Sequence, residues 1–160
     1  MSNSRPWINE TLRDLYADAN PACELAPLIR DRVYSRLWEA WLPSKCVAAD
    51  EAHHIFHPSG ERWDLKSNLI CLCRTMHDWC HANEPESKVA CLYAKWKKSR
   101  TGQYVAGKYV TEVPDEFDLG ELNRACGKDV LWWLKFQSLA EPFAGWRDAI
   151  VESFRAKEAS

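Results

Sequence analysis

Histidine is missing from most of this chain: residues 1–52 and 82–160 hold none, and all five lie between His53 and His81. Long apolar runs are missing too. The opening stretch MSNSRPWINE has no apolar core, so no secretory signal is expected, and no run approaches the roughly 20 apolar residues that cross a bilayer. Strong net charge is absent: 21 Lys and Arg stand against 23 Asp and Glu, a formal charge of −2. A surface positive all over is thereby excluded, and any nucleic-acid contact has to come from a local patch. The seven cysteines are an odd number without regular spacing, unlike a secreted disulfide scaffold, so reduced thiols in a cytoplasmic protein are expected. No internal repeat or low-complexity segment is found.

What is present is aromatic. Nine tryptophans in 160 residues point to one domain whose core is built from large amphipathic side chains on helices. Asn9 is placed to cap a helix, ETLRDLYADAN, that stops before Pro21. A second helix is expected from about Pro27 to Leu42, with Val33, Leu37 and Trp41 on one face and Pro43 ending it. Two short strand-like pieces follow, Cys46–Ala49 and Ala52–Phe56, with a tight Asp50–Glu51 turn between them. HPSGERWDLKSN is rich in turn-formers and predicts a loop, and RTMHDWCHAN a helix of two to three turns. PESKVACLYAKWKKS predicts a helix starting at Pro85, with Val89, Leu92, Tyr93 and Trp96 at helical spacing. Residues 101–117 give no clear pattern. Asp118 is placed to cap a helix closed by Gly127, and KDVLWWLKFQSL and PFAGWRDAIVESFRAK predict two more.

On a helix, His77 and His81 stand at i and i+4, with side chains about 6 Å apart on one face, close enough for two ring nitrogens to reach one ion. Two such histidines also occur as plain surface residues. Confinement of all five beside Cys71, Cys73 and Cys80 argues against composition alone. His53 and His54 differ in kind, because neighbours on a strand face opposite ways and only one of them joins that ion easily. One histidine on a metal and one beside it is what metal-assisted hydrolysis needs.

The run EAHHIFHPSGERWDLKSNLICLCRTMHDWCH resembles the HNH endonuclease motif, the ββα-metal fold, in a His-His variant similar to the colicin-type DNase branch. The resemblance covers about 40 of the 160 residues. It implies His53, His77 and His81 as metal ligands, His54 as the general base that activates water, and Asn68 as the central asparagine that holds the loop and helps orient the base. Glu51 matches an acidic position of that branch and is placed beside the ligands; a solvated turn carboxylate is the alternative. His57 has no matching role. Two CxxC pairs often flank this motif, but here Pro43 and Met76 stand where partners of Cys46 and Cys73 would be. A tetrahedral structural zinc needs four ligands, so a second, structural zinc is not expected, although Cys23, Cys80 or Cys91 are available to rebuild one. An equivalent of the branch's catalytic arginine is not evident. Three imidazoles favour zinc, nickel, cobalt or manganese over magnesium, so one divalent cation is the implied cofactor.

Residues 87–111 carry six cations and no acid, while 112–121 carry five acids and no cation. Lys95, Lys97, Lys98 and Arg100 are the candidate contacts to DNA, double-stranded by expectation, against the alternative of a solvated helix end. The chain is therefore expected to be α+β and mostly α-helical, one domain in which N-terminal helices (1–43) and a C-terminal helical extension (85–160) flank a small ββα-metal unit (44–84). The expected activity is metal-dependent phosphodiester hydrolysis in DNA. A non-catalytic zinc-stabilised module for nucleic acid or protein, or a degenerate nuclease kept as a scaffold, is the alternative.

Overall fold

The computed structural model describes residues 9–25, 28, 49, 51–56, 64–101, 103–105, 108–110, 120–122 and 130–159. Most of the expected 27–42 helix, residues 46–48, His57 and most of the helix expected between Asp118 and Gly127 lie outside them. The described chain is mostly helical, with two small antiparallel sheets.

Helix α1 (Glu10–Ala19) begins where the sequence places it, with the Asn9 Oδ1 accepting the Leu12 N–H at 2.9 Å. Tyr16 is its buried side chain and packs against Leu69 and Cys71. Strand β1 (Glu51–His54) runs antiparallel to β2 (Leu69–Leu72), with Glu51 opposite Leu72, Ala52 opposite Cys71, His53 opposite Ile70 and His54 opposite Leu69. The expected hairpin partner, Cys46–Ala49, lies outside the described residues except for Ala49. Glu51 lies in a strand rather than a tight turn, and the described partner of β1 follows a short 3-10 turn at Lys66–Asn68. LICL shows no period-two alternation because both of its faces are covered. Leu69 and Cys71 meet Tyr16, while Ile70 and Leu72 enter the main core.

Helix α2 (Arg74–Ala82) follows directly, burying Met76, Trp79 and Cys80. Its last carbonyls are satisfied from the next segment: the Asn83 Nδ2 donates to the Trp79 carbonyl at 2.8 Å and the Ser87 Oγ to that of Cys80 at 2.7 Å. Helix α3 (Glu86–Thr101) runs through the interior, with residues 89–95 buried in unbroken succession. Strands β3 (Gln103–Val105) and β4 (Lys108–Val110) form a second antiparallel pair where no pattern was expected, so the C-terminal part is not purely helical. QYV and KYV are too short to show a period, yet each is rich in β-formers and only Ala106 and Gly107 separate them.

Helices α4 (Val130–Phe136) and α5 (Phe143–Ala159) complete the described chain. Of the described tryptophans, Trp79 and Trp146 are buried in the core and Trp96 and Trp133 pack against it, whereas Trp132 is exposed. Trp79 of α2 lies 6.3 Å from Phe143, Phe143 meets Trp146 edge-on at 5.4 Å, and Trp146 stacks on Tyr93 of α3 at 4.9 Å and 5°. Among the described residues no helix is long and apolar enough to cross a membrane.

Candidate metal centre

Three of the five histidines converge. His53 comes from β1, and His77 and His81 come from successive turns of α2. Their ring centroids are 4.9, 5.3 and 4.6 Å apart, the rings are close to mutually perpendicular, and one nitrogen of each lies within 4.8 Å of the others. The two Nε2 atoms of His77 and His81 are 3.2 Å apart. Two nitrogens on one zinc-like ion at about 2.0–2.1 Å stand roughly 2.9 Å apart at a right angle and about 3.4 Å at a tetrahedral one. The His77–His81 spacing therefore suits two ligands of a single divalent ion, and His53 stands beside them as a third candidate donor. His53 and His77 are half-buried and His81 is exposed, so the cluster borders solvent on one side.

His54 is turned elsewhere. It is buried, and its Nε2 lies 2.7 Å from the Oδ1 of Asp64, a carboxylate that is itself 1% exposed. The other oxygen of Asp64 accepts the backbone N–H of Asn9 at 2.8 Å. Asp64 is the residue that sequence reasoning missed. Within HPSGERWDLKSN nothing separates it from Glu61 in sequence; only its contacts to His54 of β1 and to Asn9 at the start of α1 do so.

Asn68 is fully buried and acts on the chain just after His54. Its Oδ1 accepts the Phe56 N–H at 2.9 Å and its Nδ2 donates to the Phe56 carbonyl at 3.0 Å, so the side-chain amide imitates one more rung of the ladder. The Ile55 N–H donates to the Asn68 carbonyl at 2.9 Å, and the Ile55 carbonyl accepts from the Lys88 Nζ at 2.7 Å. All four backbone polar groups of Ile55 and Phe56 are thus held. Asn68 therefore holds the backbone that follows His54, and Asp64 touches the His54 ring. The side chain of Glu51 lies outside the described residues.

Among the described cations of the basic segment, Lys95 and Lys98 are engaged with internal partners, and burial takes Lys95 out of the expected DNA surface. Lys95 is 3% exposed, and its Nζ donates to the Tyr16 hydroxyl at 2.7 Å. Tyr16 donates in turn to the carboxylate of Glu24, which also accepts the Cys71 N–H at 2.7 Å. Lys98 donates to the Asn20 Oδ1 at 2.7 Å and pairs with Glu24 at 3.4 Å. Both lysines sit at inward positions of α3 and neutralise a buried carboxylate. Lys97 is half-buried, with its ammonium 6.0 Å from the ring centre of Tyr93, and the side chain of Arg100 lies outside the described residues.

The described cysteines are buried in the reduced form. Burial, followed by the charge of Glu24, pushes the Cys71 thiol up to about 12. Cys91 is held well above the ordinary thiol range by its hydrogen bond to Cys80, whose sulfur lies 3.8 Å away, and then by burial. Both thiols are thus held neutral and pack in the buried interior. Met76, at the position of a missing CxxC partner, is fully buried in the core.

No family model matches this chain, and neither a curated protein nor a solved structure does.

Proposed function

We propose that this protein is a metal-dependent endonuclease of the HNH type that hydrolyses phosphodiester bonds in DNA. The observation that carries this reading is the division of labour between adjacent residues of β1. His53 joins His77 and His81, while His54 is turned to a buried carboxylate. An ion bound by the three imidazoles would supply Lewis-acid stabilisation of negative charge on a phosphoryl oxygen. His54 takes the proton from the attacking water, with Asp64 steadying the ring that becomes cationic as it does so. Asn68 and Lys88 hold Ile55 and Phe56, and so fix where the strand presents His54. Lys97 and Arg100 remain the proposed contacts to the phosphate backbone. Three protein ligands with an exposed edge suit catalysis better than a structural knot, which closes its site with a fourth.

The test is plasmid nicking with a panel of divalent metals and a chelator control. The expected result is chelator-sensitive nicking that His54→Ala eliminates while zinc still binds, measured by calorimetric titration. Nicking by His54→Ala at the parent rate would remove the base assignment. Metal-dependent folding without nicking would favour the non-catalytic module.

A further inference from the structure

We infer that Asp64 fixes the tautomer of His54, and so makes Nδ1 the proton-accepting atom of that ring. The His54 Nε2 and Asp64 Oδ1 stand 2.7 Å apart, and the two side chains are 10% and 0% exposed. Asp64 is oriented from its other side by the Asn9 backbone N–H, 2.8 Å from Oδ2. That donor cannot turn round, because Asn9 also caps α1, its carbonyl accepting the Arg13 N–H at 3.1 Å. As a carboxylate, Asp64 offers only lone pairs, so the ring nitrogen facing it carries the hydrogen. A neutral imidazole holds one N–H, and the lone pair therefore belongs to Nδ1. The part of this inference that concerns catalysis rests on His54 being the base of the proposed hydrolysis; the tautomer itself does not.

Asp64→Asn tests it with little change of shape. The amide has one accepting and one donating end. Asn9 N–H requires the accepting end where Oδ2 stood, which turns the NH2 toward His54 Nε2. That nitrogen must then accept, and the ring hydrogen moves to Nδ1. Long-range 15N–1H correlation spectra of the imidazoles, recorded with and without zinc and assigned by the loss of signals in His54→Ala, read the tautomer directly. The expected result is Nε2–H in the parent and Nδ1–H in Asp64→Asn. Nδ1–H in the parent, or one and the same tautomer in both, overturns the inference, and the parent spectrum decides alone if the variant does not fold.

In nicking assays Asp64→Asn should lower kcat by about 10²–10⁴-fold, the range over which a positioned general base contributes, with the wrong-tautomer loss of about 10⁴ in serine proteases as its upper end, and with KM for DNA and zinc affinity unchanged. An unchanged kcat in a variant whose tautomer has switched overturns the assignment of Nδ1 as the accepting atom. If the tautomer switches and neither protein nicks DNA with any metal, the inference about Asp64 stands and the nuclease reading fails.

Discussion

At the scale of single residues, Asn68 is the position where positioning and chemistry separate most cleanly. Its amide supplies both a donor and an acceptor to Phe56 and is fully buried. Asn68→Ala leaves two backbone groups without these partners and opens a cavity, so it should cost about 2–3 kcal/mol in urea denaturation. Asn68→Asp should not restore the loss, because a second carboxylate oxygen would face the Phe56 carbonyl. Recovery of parent stability in Asn68→Asp would show that the donor half of the amide is immaterial. The histidines were legible at this scale because strand alternation and helical spacing act within a few residues. Asp64 was not, since its partners, His54 and Asn9, lie 10 and 55 positions away in sequence.

Helix α3 shows how an element's sequence misleads about its surface. Its five cations, Lys88, Lys95, Lys97, Lys98 and Arg100, read as a basic face, yet Lys88, Lys95 and Lys98 each reach inward to a carbonyl, a hydroxyl or a carboxylate. A lysine stem is apolar enough to be buried when its ammonium finds partners, and sequence does not show whether Tyr16 and Glu24 will stand there. Lys95→Met keeps the stem and removes the charge from beside a buried Tyr16–Glu24 pair. The expected loss is about 2–4 kcal/mol, less than for an isolated buried pair because Lys98 still faces Glu24. Lys97→Met should stay within about 0.5 kcal/mol and, on the proposed function, weaken DNA binding instead. Parent stability in Lys95→Met combined with weakened DNA binding would restore Lys95 to the DNA surface. Strand β2 makes the same point in reverse. Its four apolar residues carry no alternation to read, because Tyr16 covers one face and the main core the other.

Across the whole molecule, the C-terminal helices cannot be treated as an appendage to the three-histidine cluster. The inner face of α2, which presents His77 and His81 on its other side, packs through Trp79 onto Phe143 of α5. Trp146 lies behind that contact, fully buried and stacked on Tyr93. Trp146→Ala should therefore cost about 3–5 kcal/mol, a large share of the roughly 5–15 kcal/mol by which such domains are stable. An ion on His53, His77 and His81 acts in the opposite direction. At a free concentration of about 100 Kd an ion held only by the folded chain would add about 2.7 kcal/mol. For a chain of this length each kcal/mol moves the thermal midpoint by about 2–4 °C. Trp146→Ala should accordingly melt about 6–20 °C below the parent in chelator, and zinc at that saturation should recover about 5–11 °C in either protein. Differential scanning calorimetry of parent, Trp146→Ala and His77→Ala, each with zinc and with chelator, separates the two contributions. His77→Ala should lose most of the zinc-dependent increment while keeping a midpoint in chelator near that of the parent. A zinc increment as large in His77→Ala as in the parent would mean that the ion binds elsewhere, and the convergence of the three histidines would then be a matter of packing alone.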